Sequence, residues 1–243
     1  VKEVFDRHEH GVLQFSGGKE SLACLELTRP WWDKLTVIWV DSGDSFPETR
    51  EQMMRVADTV PYFMAVKANQ PQHILDFGLP ADVLGVWNTP GGREFRPGDQ
   101  IRLQDPLMCC KTNRWDPMQN AIRVIGATLV VRGQRKNDRH KGPQRSGQVL
   151  DGVEYLFPLE GWDESRVLGF LLEKGIELPR SYEFNKSSLD CQHCTAFLGE
   201  NQGKLKYMDK YHPEVADVVR FRLRTIRRAV QEEMAPLNQL LGD

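Results

Sequence analysis

The stretch from Gln14 to Leu27 constrains the fold more than any other part of this 243-residue chain. An apolar strand signal at Val12, Leu13 and Phe15 runs into Ser16-Gly17-Gly18-Lys19-Glu20-Ser21, and an apolar helical pattern begins at once. Two glycines let the backbone turn tightly and bring its N–H groups close to an anion, and the helix N-terminus adds partial positive charge. Lys19 adds a full charge, and Ser16 and Ser21 add hydroxyl donors. The segment is therefore a candidate phosphate cradle, although a glycine turn with a solvated lysine would show the same six residues. It is too short for GxxxxGK[ST] and lacks GxGxxG.

The rest of the chain alternates strand and helix signals. Leu35 to Val40 is a continuous apolar run, as in a parallel strand buried on both faces. It ends at Asp41-Ser42-Gly43-Asp44, and Phe46-Pro47-Glu48-Thr49 then opens a helix through about Thr59. Tyr62–Val66 reads as a third strand, and residues 78–108 as a long aperiodic loop of the functional or lid-forming kind. Pro117 suits the first turn of a helix through Ile125, and Thr128–Arg132 is a further buried strand. A basic loop follows from Gly133 to Gly147, then a strand or turn over Val153–Leu159. Asp163 can cap a helix reaching Lys174, which Gly175 ends. Pro213 begins a long amphipathic helix that Pro236 is expected to break. Such alternation predicts an α/β fold with a mainly parallel twisted sheet, which binds ligands at the carboxyl ends of its strands.

A net charge of −2 gives no global drive toward nucleic acid or anionic membrane, and no apolar run reaches membrane-span length. The expectation is a cytoplasmic protein without membrane contact, for which a homodimer stays open. Its five cysteines are then better metal ligands or redox groups than disulfide partners. Cys109-Cys110 and Cys191-x-x-Cys194 form two separated pairs, suited to zinc, to an iron–sulfur cluster or to no metal at all. Adjacent cysteines diverge, and a larger cluster tolerates that better than one ion. Cys24 falls on the apolar face of the first helix.

Five segments together resemble the phosphoadenosine-phosphosulfate reductase-like branch of the PP-loop ATP pyrophosphatases. They are Ser16–Ser21; Val40–Gly43 with Phe46–Thr49; Cys109-Cys110-Lys111 with Asp116-Pro117-Met118; Arg132-Gly133-Gln134-Arg135 with Arg139; and Pro158-Leu159 through Trp162 with Ser188–Thr195. The resemblance implies an adenine-nucleotide alpha-hydrolase-like fold over residues 1–197, with 198–243 as a helical extension packed on the same domain. It implies that Ser16, Gly17, Gly18, Lys19, Glu20, Ser21, Asp41, Ser42, Gly43, Gly133 and Arg135 bind ATP or a sulfonucleotide with Mg2+. Lys19, Arg135 and Arg139 would be catalytic. Cys109, Cys110, Cys191 and Cys194 would hold a [4Fe-4S] cluster, with zinc as the other candidate.

Two features separate the functions found in that family. Its sulfonucleotide reductases attack sulfur with the thiolate of a C-terminal Glu-Cys-Gly-like tail, and no cysteine follows Cys194 in this sequence. They also commonly lack the loop lysine, which is present here as Lys19. The expected chemistry is therefore splitting of ATP to AMP and pyrophosphate, adenylylating a substrate oxygen for sulfur transfer. DNA phosphorothioation with a cysteine desulfurase partner is the nearest functional model. The alternatives are an adenylylsulfate or phosphoadenylylsulfate reductase and a nucleotide-sensing scaffold. Arg220, Arg224, Arg227 and Arg228 share a helix face that reads equally as solvated or as contacting DNA or a protein.

Overall fold

The computed structural model describes residues 1–95, 98, 101–138 and 142–242. Eight strands form in chain order: β1 Gly11–Gln14, β2 Leu35–Asp41, β3 Phe63–Lys67, β4 Leu79–Pro80, β5 Leu103–Gln104, β6 Leu129–Arg132, β7 Val149–Leu150 and β8 Val153–Leu156. The helices are α1 Lys2–Phe5, α2 Lys19–Leu27, α3 Pro47–Thr59, α4 Gln70–Phe77, α5 Pro90–Phe95, α6 Pro106–Cys110, α7 Asp116–Ile125, α8 Glu164–Glu173, α9 Lys204–Tyr211 and α10 Pro213–Leu241.

Six strands make one sheet in the order β3-β2-β1-β6-β8-β7, parallel throughout except for the edge pair β7–β8. Parallel pairing demands crossovers, and burial on both faces demands apolar residues of both parities. Alternation along each strand delivers them to two cores. Leu13, Val37 and Val131 join Phe5, Leu22, Cys24, Val167 and Leu171 on one side. Val12, Ile38 and Val130 join Ala121, Ile122 and Phe157 on the other. Strand order reverses around β1, so the crevice for a ligand opens where β1 and β6 end.

Several boundaries differ from those expected. The third strand lies one residue later, at Phe63–Lys67. The segment 78–108 is not structureless: β4 pairs with β5 in parallel, α5 lies within it and α6 begins in it. It lacks periodicity because its pieces are too short to show any. Its buried Ala81 and Leu103 pack on Ile226 and Ala229 of α10. Pro236 does not break α10, which continues to Leu241. A proline there removes one hydrogen bond close to an exposed helix end, where few bonds depend on continuity.

The residues beyond 197 pack against the body of the protein through Phe46, Leu189, Tyr207, Met208, Ala216 and Val219. Glu48, in the first turn of α3, accepts hydrogen bonds from the Tyr207 hydroxyl at 3.1 Å and from His212 Nε2 at 2.8 Å. Among the described residues, no helix is long and apolar enough to cross a membrane.

Candidate active site

The glycine loop leaves β1 and enters α2, as its sequence demands. Gly17 has a φ of +78°, and a Cβ there would meet the Gln52 and Met53 side chains at 2.5 and 2.9 Å. Only glycine tolerates both demands. Gln52 also donates to the Gly17 carbonyl at 3.2 Å, bracing the turn from α3. The Ser21 hydroxyl donates to the Gly18 carbonyl at 2.9 Å, and Ser16 Oγ lies 3.4 Å from Ser21 Oγ. Ser21 thus closes the first turn of α2 from within, while Ser16 stays near the loop mouth.

Lys19 is buried to 4% exposure. Its ammonium donates to the Lys186 carbonyl at 2.6 Å and lies 3.3 Å from carboxylate oxygens of both Glu20 and Glu164. Its backbone N–H donates to the Tyr182 hydroxyl at 3.0 Å. The loop is therefore faced by a segment from Tyr182 to Ser188, with Ser188 Oγ 3.1 Å from where a Gly18 Cβ would stand. Burial pushes the Tyr182 phenol well above its ordinary range, so the hydroxyl stays neutral.

The end of β6 brings the arginine loop onto this cradle. A Cβ on Gly133 would meet the backbone carbon and oxygen of Glu20 at 2.8 Å, so glycine is what permits the approach. Arg135 pairs with Glu20 at 3.0 Å and Asp138 at 3.1 Å, while its Nε is buried with no hydrogen-bond partner among the described residues. Arg139, the other arginine predicted here, lies outside the described residues. A cavity of about 690 Å³ opens between these groups, lined among others by Lys19, Glu20, Arg135, Asp138, Glu164 and Ser187.

The turn after β2, where Asp41, Ser42 and Gly43 were expected to join the cradle, is not part of that lining. Asp41 Oδ1 accepts from the Gly43 N–H at 3.0 Å and from Ser45 Oγ at 3.3 Å, and Gly43 takes a φ of +80°. Ser42 Oγ lies 3.4 Å from Cys191 Sγ, so the turn touches the cysteine loop directly.

All four predicted ligand cysteines converge there. Burial chiefly raises Cys109 to about 12, with Cys110 and Cys194 adding repulsion; Cys110 rises to about 11, again chiefly by burial. Cys191 is pushed up by burial and then by Cys194. Cys194 thus lies within electrostatic reach of the other three. Cations line it: Lys204 donates to the carbonyls of Cys191 and Cys194 at 2.9 and 2.8 Å, and Arg114 pairs with Asp190 at 2.5 Å. Cys109, Cys110 and Arg114 lie on one nearly continuous helical run, in which the π-helical turn Lys111–Trp115 joins α6 to α7. Widened turns of this kind concentrate at functional sites. Among the described residues, no group of three or more His, Cys, Asp or Glu side chains closes tightly enough for a single metal ion. Zinc would need its sulfurs about 2.3 Å from one centre. Four thiols are the donor type that either zinc or a cubane cluster takes.

Cys24 is fully buried in α2, where burial pushes its thiol far above the ordinary range, as its apolar position predicted. The sequence reading missed Tyr182, Lys186, Glu164 and Lys204, whose only signal was lying in polar stretches before and after the last cysteine pair. The arginines of α10 are partly engaged. Arg220 Nη2 donates to both carboxylate oxygens of Asp209 at 2.6 Å, and Arg222 donates to the His193 carbonyl at 3.1 Å.

A parallel sheet with a glycine-lysine cradle at its switch point, an arginine loop beside it and a four-cysteine group on the next turn defines a PP-loop α/β protein. The sequence matches the model of the phosphoadenosine phosphosulfate reductase domain over residues 10–197, and the chain belongs to that family. It is 22% identical over 203 residues to the adenosine 5′-phosphosulfate reductase of Staphylococcus epidermidis, covering 81% of this chain and 75% of that protein. The phosphoadenosine 5′-phosphosulfate reductase of Gloeobacter violaceus is 23% identical over 194 residues, covering 76% and 71%. Among solved structures, the phosphoadenylyl-sulfate reductase of Candida auris in its phosphate complex aligns at a TM-score of 0.49 with 16% identity, covering 74% of this chain and 81% of that one.

Proposed function

We propose that the chain acts on an adenine nucleotide at the cradle, and that its substrate is a sulfonucleotide of the adenylylsulfate class. The observation that carries the nucleotide reading is the buried Nε of Arg135, without a hydrogen-bond partner among the described residues, in a guanidinium that shares Glu20 Oε1 with the Lys19 ammonium. A buried donor left unmade is costly, and a phosphate oxygen would satisfy it with a charge-assisted bond. The names of the relatives at 22–23% identity favour the sulfonucleotide. In this reaction a thiolate attacks the sulfate sulfur, an S–S bond forms, and the sulfur–oxygen bond to the phosphate breaks with its electron pair leaving on AMP. A second thiol then releases sulfite and leaves a disulfide. Lys19 and Arg135 would stabilise the charge gathering on the departing phosphate. In this reading a dithiol co-reactant supplies the attacking thiolate, since burial holds Cys24, Cys109, Cys110 and Cys191 above the ordinary thiol range.

Cys109, Cys110, Cys191 and Cys194 would hold a [4Fe-4S] cluster, which would supply a fixed charge and one-electron redox capacity beside the nucleotide turn.

A second reading rests on Lys19 itself. Its ammonium, sequestered between Glu20 and Glu164, suits a departing pyrophosphate, with those carboxylates near enough to meet an arriving Mg2+. Here a substrate oxygen attacks the α-phosphorus of ATP and the α–β anhydride breaks. DNA phosphorothioation with a cysteine desulfurase is the acceptor chemistry this reading favours. One assay separates them: purified protein is given adenylylsulfate with a reduced dithiol protein, or ATP with Mg2+. Sulfite release supports the first reading, and pyrophosphate release lost in Lys19→Ala supports the second. Neither product, with nucleotide still bound, would leave a sensing or scaffold role.

A further inference from the structure

Asp44 is buried to 4% exposure at the centre of the contact between the nucleotide turn and the cysteine loop. Both of its carboxylate oxygens are spent on one residue: Oδ2 accepts from the His193 backbone N–H at 2.9 Å, and Oδ1 lies 2.7 Å from His193 Nδ1. Its carbonyl accepts from the Gln192 N–H at 2.7 Å, and its neighbour Ser45 makes an isolated bridge with Cys191. On its other side Asp44 belongs to the turn held by Asp41, Gly43 and Ser45. Its charge reaches Cys109, Lys204 and Arg222, so it sits within the field of the cysteine group. His193, lying between two ligand cysteines, is thereby fixed at ring and backbone together, with Arg222 holding its carbonyl.

We infer that Asp44 is a positioning residue that makes nucleotide binding and the geometry of the Cys191–Cys194 loop interdependent. The inference rests on the reading that the turn 41–45 meets a nucleotide. A buried carboxylate accepting two bonds from one residue transmits displacement in both directions, because neither loop can shift without breaking charge-assisted bonds. Coupling of this kind is reciprocal: whatever the nucleotide does to the cysteine loop, the loop does to nucleotide affinity.

The test uses anaerobically purified full-length protein with AMP, the nucleotide product common to both reactions. Two quantities are read: AMP affinity by calorimetry, and the rate at which iodoacetamide alkylates Cys191 and Cys194, mapped by mass spectrometry. In the unaltered protein AMP is expected to slow alkylation. In Asp44→Asn, AMP affinity falls about tenfold, the loss of charge-assisted bonds, and AMP no longer changes the alkylation rate. His193→Ala keeps the backbone bond and gives an intermediate result. Unchanged affinity in Asp44→Asn, or weaker binding with the protection intact, overturns the coupling, since a purely structural residue would leave the protection in place. No AMP binding by the unaltered protein overturns the nucleotide reading and the coupling with it. Binding without protection overturns the coupling alone.

Discussion

The ammonium of Lys19 lies 2.6 Å from the carbonyl oxygen of Lys186, 167 residues away in the chain. The same lysine offers its backbone N–H to Tyr182. Both donors that a phosphate would use on Lys19 are already satisfied by the segment preceding the cysteine loop. A ligand must therefore exchange bonds rather than simply gain them, and the net affinity is the difference between two hydrogen-bonded states.

Removing one competing bond should tighten binding. Tyr182→Phe leaves the ring in place and frees the Lys19 amide. The expected result is severalfold tighter binding of inorganic pyrophosphate by calorimetry, consistent with one neutral hydrogen bond. Weaker binding would instead make the Tyr182 hydroxyl a ligand contact.

Gly133→Ala tests the meeting of the two loops. The new methyl would collide with the Glu20 backbone at 2.8 Å, which cannot rotate away as a side-chain tip could. Stability should fall by about 1–3 kcal/mol in chemical denaturation. Pyrophosphate affinity should fall further than Gly161→Ala lowers it, since a Cβ there would meet no atom within 4 Å and its φ is not positive.

Lys204→Met asks what holds the CxxC loop. Lys204 is buried, and its charge is disfavoured there by desolvation, yet it serves two cysteine carbonyls. Methionine keeps the volume and removes the donors, leaving two acceptors unmade. A loss of about 2–4 kcal/mol is expected, together with lower metal content per chain by elemental analysis. Wild-type metal content at reduced stability would separate the fold's need for Lys204 from the cysteine group's.

At the opposite edge of the sheet, Glu154 links β8 to the N-terminal segment. It contacts His8 Nε2 at 2.8 Å and Arg7 at 2.7 Å. The His8 bond chiefly holds its carboxyl below the ordinary range, helped by Arg7 against burial. A depressed carboxyl pKa contributes stability above the unfolded value, about 4.3, and loses it as pH falls through the lower folded value. Glu154→Gln should thus cost roughly 1 kcal/mol near pH 7, and its unfolding curve should converge with that of the unaltered protein as pH falls through the lowered folded value. A constant difference across that range would remove the carboxylate from the explanation.

Much of this was legible in the sequence because it depends on local rules. Gly17 and Gly43 announce positive φ, Val12–Leu13 and Leu35–Ile38 announce strands buried on both faces, and Asp163 caps α8 by accepting from the Arg166 N–H. Order along the chain also placed Ser16–Ser21, Asp41–Gly43 and Gly133–Arg135 after successive parallel strands, hence on one edge of the sheet. Local rules failed at Pro236, where a helix continues through a residue that usually ends one, and in 78–108, whose short elements are held by α10 rather than by their own periodicity.

By itself the sequence determined the α/β class, the family and two kinds of chemical group, a glycine-lysine cradle and paired cysteines. Those follow from spacing and residue type. Only the tertiary structure decided which groups touch: Tyr182 and Lys186 bonded to Lys19, Gly133 packed against Glu20, and Asp44 bonded to His193. These contacts join residues from 113 to 167 positions apart. No local propensity encodes them, because their geometry is set by how the crossovers pack on the sheet. The cradle read from six residues thus became a cradle already occupied by the chain itself.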